Sequence, residues 1–92
     1  MSTEFETVHN FFERVIFHEV AQRASGHPDM NGELLADVAC VALNRIAPRY
    51  IRHDVDLMFY LTESERHQME QNIESALQFA FDFVRERRQR YS

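Results

Sequence analysis

The sequence predicts an all-α fold: a small single domain over 1–92, with three main helices, a short fourth segment, and a homodimeric assembly. Three observations carry this reading. Apolar residues recur at spacings of three and four over three long segments, clustered breakers separate the segments, and polar residues suited to capping stand at the later helix starts.

The first helix is expected from about Glu4 to Ala24. Phe5, Val8, Phe12, Val15, Ile16 and Val20 fall on one face, whereas Phe11 and Phe17 lie off that stripe and suggest a second apolar contact with another subunit. "SGHPDMNG" ends it, with Gly26, Pro28 and Gly32 as breakers. A second helix follows from about Glu33 to Ile46. Asn31 is a suitable N-cap, and Glu33 and Asp37 suit the positive end of the helix dipole. Leu35, Val38, Ala39, Ala42, Leu43 and Ile46 form its apolar face, and Pro48 disfavours helical geometry at Ala47. Residues 55–61, "VDLMFYL", fit either a short extended piece or a helical turn. "TESE" at 62–65 matches a capping box, with Thr62 as cap and Glu65 returning the bond. The third long helix then runs to about Arg88, striped by Met69, Ile73, Ala76, Leu77, Ala80 and Val84. Phe79, Phe81 and Phe83 spread its apolar character over more than one face.

Composition narrows the function classes. A formal charge of -5 argues against a general DNA, RNA or membrane-surface binder, which needs a basic face. All ten basic residues are Arg, whose planar fork pairs bidentately with phosphate or a guanine edge. Residues 45–54 carry a local charge of +2, and Arg85, Arg87, Arg88 and Arg90 form a second basic group. Cys40 is the sole cysteine, so neither an internal disulfide nor a cysteine-based zinc cluster can form, and its apolar run predicts a buried position. The acidic N-terminus has no signal-peptide pattern, and no apolar run approaches the roughly 20 residues of a bilayer span. A cytoplasmic protein is expected. Eight Phe in a chain of 92 exceed what one small core readily hides, which favours the homodimer.

Catalytic and metal chemistry find little support. His9 and His18 are too far apart for an i, i+4 metal pair and read as exposed or cap-like, while His27, His53 and His67 stand alone. His53-Asp54-x-Asp56 offers too few oxygen ligands for a hard cation, so no metal is expected. Neither glycine fits a phosphate-binding loop, and the carboxylates resemble solvated helix faces, so an enzyme is not expected. The stretch "ALNRIAPRYIRHD" remains. Arg45, Arg49 and Arg52 can fork onto phosphate or guanine, Tyr50 can stack on a base, and Asp54 can accept from an amino edge. The competing reading makes the loop architectural, with Arg45 and Arg49 paired to carboxylates such as Asp37 and Tyr50 packed as a core lid.

"DVACVALNRIAPRY" resembles the ComFB (late competence development protein) family signature, approximately D-V-x-A-x-A-L-N-x-L-P-P-x-Y, and "NFFERVIFHEV" is similar to that family's opening pattern. The positions matching its motifs are Asn10, Glu13, Glu19, Asp37, Asn44, Arg45, Pro48 and Tyr50. Ala47 departs from the proline pair, and "SGHPDMNGEL" has no counterpart of the zinc-binding cysteines found in some members, so a zinc role does not carry over. The resemblance implies a small all-α cytoplasmic homodimer and, for members described as second-messenger receptors, binding of a cyclic dinucleotide, cyclic di-GMP in particular. The expected function is therefore a non-enzymatic receptor with no cofactor that signals to an unidentified protein partner. The alternative is an interaction adaptor without a small ligand, docking through the Phe-rich third helix and its Arg-rich end.

Overall fold

A computed structural model describes residues 3–91, with side chains described through residue 88. The chain is mostly helical. Helix α1 spans Phe11–Arg23, α2 Gly32–Asn44, α3 Asp54–Tyr60 and α4 Glu63–Tyr91. Two strands, β1 (His9–Asn10) and β2 (Tyr50–Ile51), pair antiparallel, with His9 opposite Ile51 and Asn10 opposite Tyr50.

Local chemistry sets the helix ends. Asn10 caps α1 by accepting from Phe12 N at 3.3 Å, and Asn31 caps α2 by accepting from Leu34 N at 2.9 Å. At the far end of α2, the Asn44 side-chain amide donates to the Cys40 carbonyl one turn back, at 2.9 Å. Thr62 caps α4 through Glu65 N at 3.1 Å. The box differs from its usual form, because the Thr62 hydroxyl itself donates to the Glu65 carboxylate at 3.0 Å.

α2 is the central element, packed on α1 along one side and on α4 along the other. Ile16 of α1, Val38 of α2 and Leu77 of α4 are fully buried, and Phe12, Ala42, Ala80 and Phe81 fill the space around them. Ion pairs brace the layers. Arg23 at the end of α1 makes a bidentate pair with Glu74 of α4, at 2.7 and 3.2 Å, which raises the Arg23 pKa and holds the Glu74 carboxyl below its ordinary value. The connection between α1 and α2 is tied to the end of α4. Arg85 donates to Asp29 at 3.2 Å and to His27 Nδ1 at 2.6 Å, and Arg88 donates to the Asp29 carbonyl. The Arg85 bond is the main cause of a lowered Asp29 pKa. The His27 ring stacks on Phe81 at 4.0 Å. Arg90, counted with these arginines from the sequence, lies outside the residues whose side chains are described.

Three expectations need correction. The first helix begins at Phe11 rather than Glu4. Residues Phe5–Thr7 form a 3-10 turn, and Asn10 competes for backbone donors in a way that stops the helix propagating backwards. Phe5 and Val8 are consequently exposed, at 76% and 45%, while Phe11 is buried against Phe12 in an edge-on contact with ring centres 5.4 Å apart. The fold is also not purely helical, since β1 and β2 form a small sheet. Cys40 is exposed rather than buried. It lies about 200° around the helix axis from Val38 and so faces away from the core. Of the two readings left open for residues 55–61, the helical one holds: residues 54–60 form α3, and of their apolar side chains only Leu57 is buried.

Candidate functional site

The paired strands give the arginine-rich loop a fixed backbone. Phe11 N donates to the Arg49 carbonyl at 2.8 Å, and Arg49 N donates to Asn10 Oδ1 at 2.9 Å, so both backbone groups of Arg49 are satisfied by the start of α1. One Asn10 oxygen thereby caps α1 and positions the loop. The Arg49 and Tyr50 side chains project from this anchored segment and are exposed, Tyr50 at 68%.

This arrangement removes part of the architectural reading of the loop. Tyr50 is no core lid. Among the described residues, no carboxylate lies within 4.0 Å of the Arg45 or Arg49 guanidinium. Arg45 instead sits over the Phe79 ring at 4.0 Å, a cation–π contact joining the end of α2 to α4. Phe79 in turn stacks on Phe83 at 5.6 Å.

Arg49 lines a groove of about 380 Å³ running along α4, with Phe12, Ile46, Leu61 and Met69 as apolar wall and Glu65 and Gln68 as polar rim. Arg45 lines a neighbouring recess of about 270 Å³ that shares Ile46, Ala47 and Asn72 with that groove. The groove lined by Arg49 and the recess lined by Arg45 thus adjoin at Ile46, Ala47 and Asn72.

Arg52 and Asp54 belong to a different cluster. Arg52 Nε donates to Thr7 Oγ1 at 3.0 Å, and the Thr7 hydroxyl donates onward to the Glu4 carbonyl at 2.7 Å. Asp54 binds His9 Nε2 at 2.7 Å and lies 3.8 Å from Arg14. His9 Nδ1 faces the Thr7 carbonyl at 2.8 Å. The Asp54 bond, followed by the Thr7 bond, raises the His9 pKa above its ordinary value. The five residues singled out from the sequence thus divide: Arg45 and Arg49 along the α4 groove, Tyr50 at the strand, and Arg52 and Asp54 beside β1. Sequence reasoning missed Thr7, His9 and Arg14. Their partners lie about forty residues away, and no local pattern announces such a pair.

On its outer side, the α1–α2 pair leaves an apolar trough of about 660 Å³ lined by Phe17, Val20, Leu35, Ala39 and Leu43, with Cys40 at its edge. The Phe17 position off the main stripe is explained by this second face, where it is 54% exposed. Among the described residues, no three His, Cys, Asp or Glu side chains come together as a metal site, and no helix is long and apolar enough to cross a membrane.

No curated protein and no solved structure matches the chain. The family model described as late competence development protein ComFB matches residues 9–88, which takes in the strand pair, all the loop arginines and nearly all of α4. The chain belongs to the ComFB family.

Proposed function

We propose that this protein is a non-enzymatic cytoplasmic receptor that binds a cyclic dinucleotide, with cyclic di-GMP as the favoured ligand, and signals as a homodimer to a protein partner. The observation that carries the reading is the exposed Arg49-Tyr50 pair on a backbone held by the strand ladder and by Asn10. A ring free for stacking beside a guanidinium without a carboxylate partner among the described residues suits a purine and its phosphate. Arg45, which lines the adjoining recess, supplies a second cation. Arg52 and Asp54 offer a phosphate contact and a guanine acceptor beside β1. A ligand with two-fold symmetry matches a two-fold dimer, in which each loop grips one half. The apolar α1–α2 trough is the surface on which we place that dimer contact.

The test is a calorimetric titration with cyclic di-GMP, using cyclic di-AMP and GTP as controls. Selective, saturable binding is expected. Arg49→Ala should weaken it by roughly tenfold to a hundredfold, the worth of one charge-assisted contact, while leaving helicity intact. Normal binding by both Arg49→Ala and Arg52→Ala overturns the site assignment.

One observation favours the adaptor reading. Val55, Phe59 and Tyr60 of α3 are exposed at 73%, 81% and 77%, a cluster suited to docking a protein. A receptor melts at a higher temperature with saturating ligand, whereas an adaptor's melt is unchanged across a nucleotide panel.

A further inference from the structure

His9 has a geometry that admits only one proton count. The Thr7 carbonyl, 2.8 Å from Nδ1, can only accept a hydrogen bond. The ionised Asp54 carboxylate, 2.7 Å from Nε2, can also only accept. A neutral imidazole carries one N–H and satisfies one of these contacts. Making both requires an additional proton on the pair, whether it rests on the imidazole or on the carboxyl.

We infer that His9 is a proton-operated latch that ties the start of α3 to β1 and so regulates the Arg52–Asp54 end of the loop. With the proton present, Thr7, His9 and Asp54 form one hydrogen-bonded chain, extended by Arg52 through the Thr7 hydroxyl. Without it, the one remaining N–H serves either Thr7 or Asp54, so the chain breaks at one of its two links and the contact with Asp54 is no longer an ion pair. Few other contacts hold α3: Leu57 is buried, and Arg66 reaches the Met58 carbonyl at 3.4 Å. Arg14 of α1 still lies 3.8 Å from the Asp54 carboxylate, so losing the charge on His9 loosens, without detaching, the start of the helix that carries Phe59 and Tyr60.

The charged surroundings set the direction. Asp54 from α3 favours the imidazolium. Arg14 from α1 opposes it and is 3.8 Å from the same carboxylate. Glu13 and His18 of α1 line the adjoining cavity with His9, and Arg52 approaches from β2 through Thr7. The folded-state pKa is raised, so the latch contributes stability fully below the ordinary histidine value near 6.5 and loses it as pH rises through the folded value. The latch is tight on the acid side and slack on the alkaline side.

That this regulates ligand binding rests on the nucleotide reading; the latch itself does not. The test is an NMR titration of His9 ring nitrogens and backbone amides in the full chain without nucleotide. We expect both ring nitrogens protonated at pH 6.5, a His9 midpoint above the ordinary value, and the amides of Arg52 and residues 54–60 shifting with that midpoint. Asp54→Asn should lower the His9 midpoint and uncouple those amides. Arg14→Gln should raise the His9 midpoint further, by removing a like charge. A wild-type His9 midpoint at or below 6.5, or amides of α3 indifferent to it, overturns the latch. Cyclic di-GMP titrations at pH 6 and pH 8 then test the regulation. A ligand that needs the Asp54 carboxylate competes with the protonated His9 and binds more tightly at the higher pH, while equal affinity at both overturns regulation by the latch. Absence of binding at either pH refutes the nucleotide reading alone, because the NMR titration judges the latch by itself.

Discussion

Asn10 is the residue whose replacement tests the architecture of the site most directly, because a single side-chain oxygen does two jobs. It accepts from Phe12 N at 3.3 Å as the α1 cap, and from Arg49 N at 2.9 Å as the anchor of the loop. Replacing a cap by alanine typically costs about 1 kcal/mol, and the long 3.3 Å contact places this one in the lower half of the range, at about 0.5–1 kcal/mol. The anchor is a well-formed bond, but Arg49 is exposed and its freed N–H can turn to water, which limits its share to about 0.5–1 kcal/mol. Asn10→Ala should therefore destabilise the protein by about 1–2 kcal/mol, equivalent to a melting temperature lower by roughly 4–16 °C for a domain of this size. Two further variants separate the roles. Asn10→Asp keeps the accepting oxygen and places an anion at the start of α1, so it should stay within about 0.5 kcal/mol of wild type. Asn10→Ser retains a cap but is too short to reach Arg49 N, so it should lose about half as much as alanine. The assay is urea unfolding followed by circular dichroism, at one fixed protein concentration because dimerisation would shift the midpoint. Alanine within about 0.5 kcal/mol of wild type, or serine equal to wild type, refutes the reasoning.

Two other perturbations probe the scaffold. Leu77→Ala removes a fully buried side chain at the α2–α4 contact and should cost about 2–5 kcal/mol in denaturant unfolding, with a loss under 1 kcal/mol showing that the packing is not as described. Acidification should weaken the braces between layers. The pKa values of Asp29 and Glu74 are depressed by Arg85 and Arg23, so the stability these carboxylates contribute is present above the ordinary carboxyl range near 4 and lost as pH falls through their folded values. Arg85→Gln should return the Asp29 titration, followed by NMR, to the ordinary range; an unchanged Asp29 midpoint would show that the bond to Arg85 is not its cause.

Much of the scaffold was legible because its signals are local. Asn31 before α2, Thr62 before α4 and Pro48 beyond Asn44 act on backbone within a few residues, and each stands where the sequence placed it. The buried positions of α4 follow the same logic, with Ala76, Leu77, Ala80 and Val84 recurring at helical spacing. Legibility failed where a non-local partner decides the outcome. The spacing of Phe5, Val8 and Phe12 suits one helix, yet a 3-10 turn and a strand precede α1, because residues 9–10 pair with residues 50–51. Strands of two residues are too short to display alternation, so neither was visible in advance. Cys40 was misplaced because an apolar run does not reveal which side of a helix its neighbours cover. The loop residues, read as one group, divide among separate clusters, because the contact of Asp54 with His9 bridges 45 positions and that of Arg85 with Asp29 bridges 56. Tertiary folding alone brings such residues within reach.

The strand pair also has a consequence for the order in which the molecule assembles. Joining His9 to Ile51 closes a loop of about forty residues, and both α1 and α2 lie inside it. The helices form from contacts near in sequence, whereas the ladder gains only two residue pairs and must wait until α1 and α2 have packed. What is made last, with the fewest bonds, is also the first to open. The loop bearing Arg49 and Tyr50 is thus expected to open at a lower free energy than the helical body. Residues 3–10 are accordingly scaffold for the site more than for the fold: they add little to the core, yet they hold the backbone from which the loop presents its side chains.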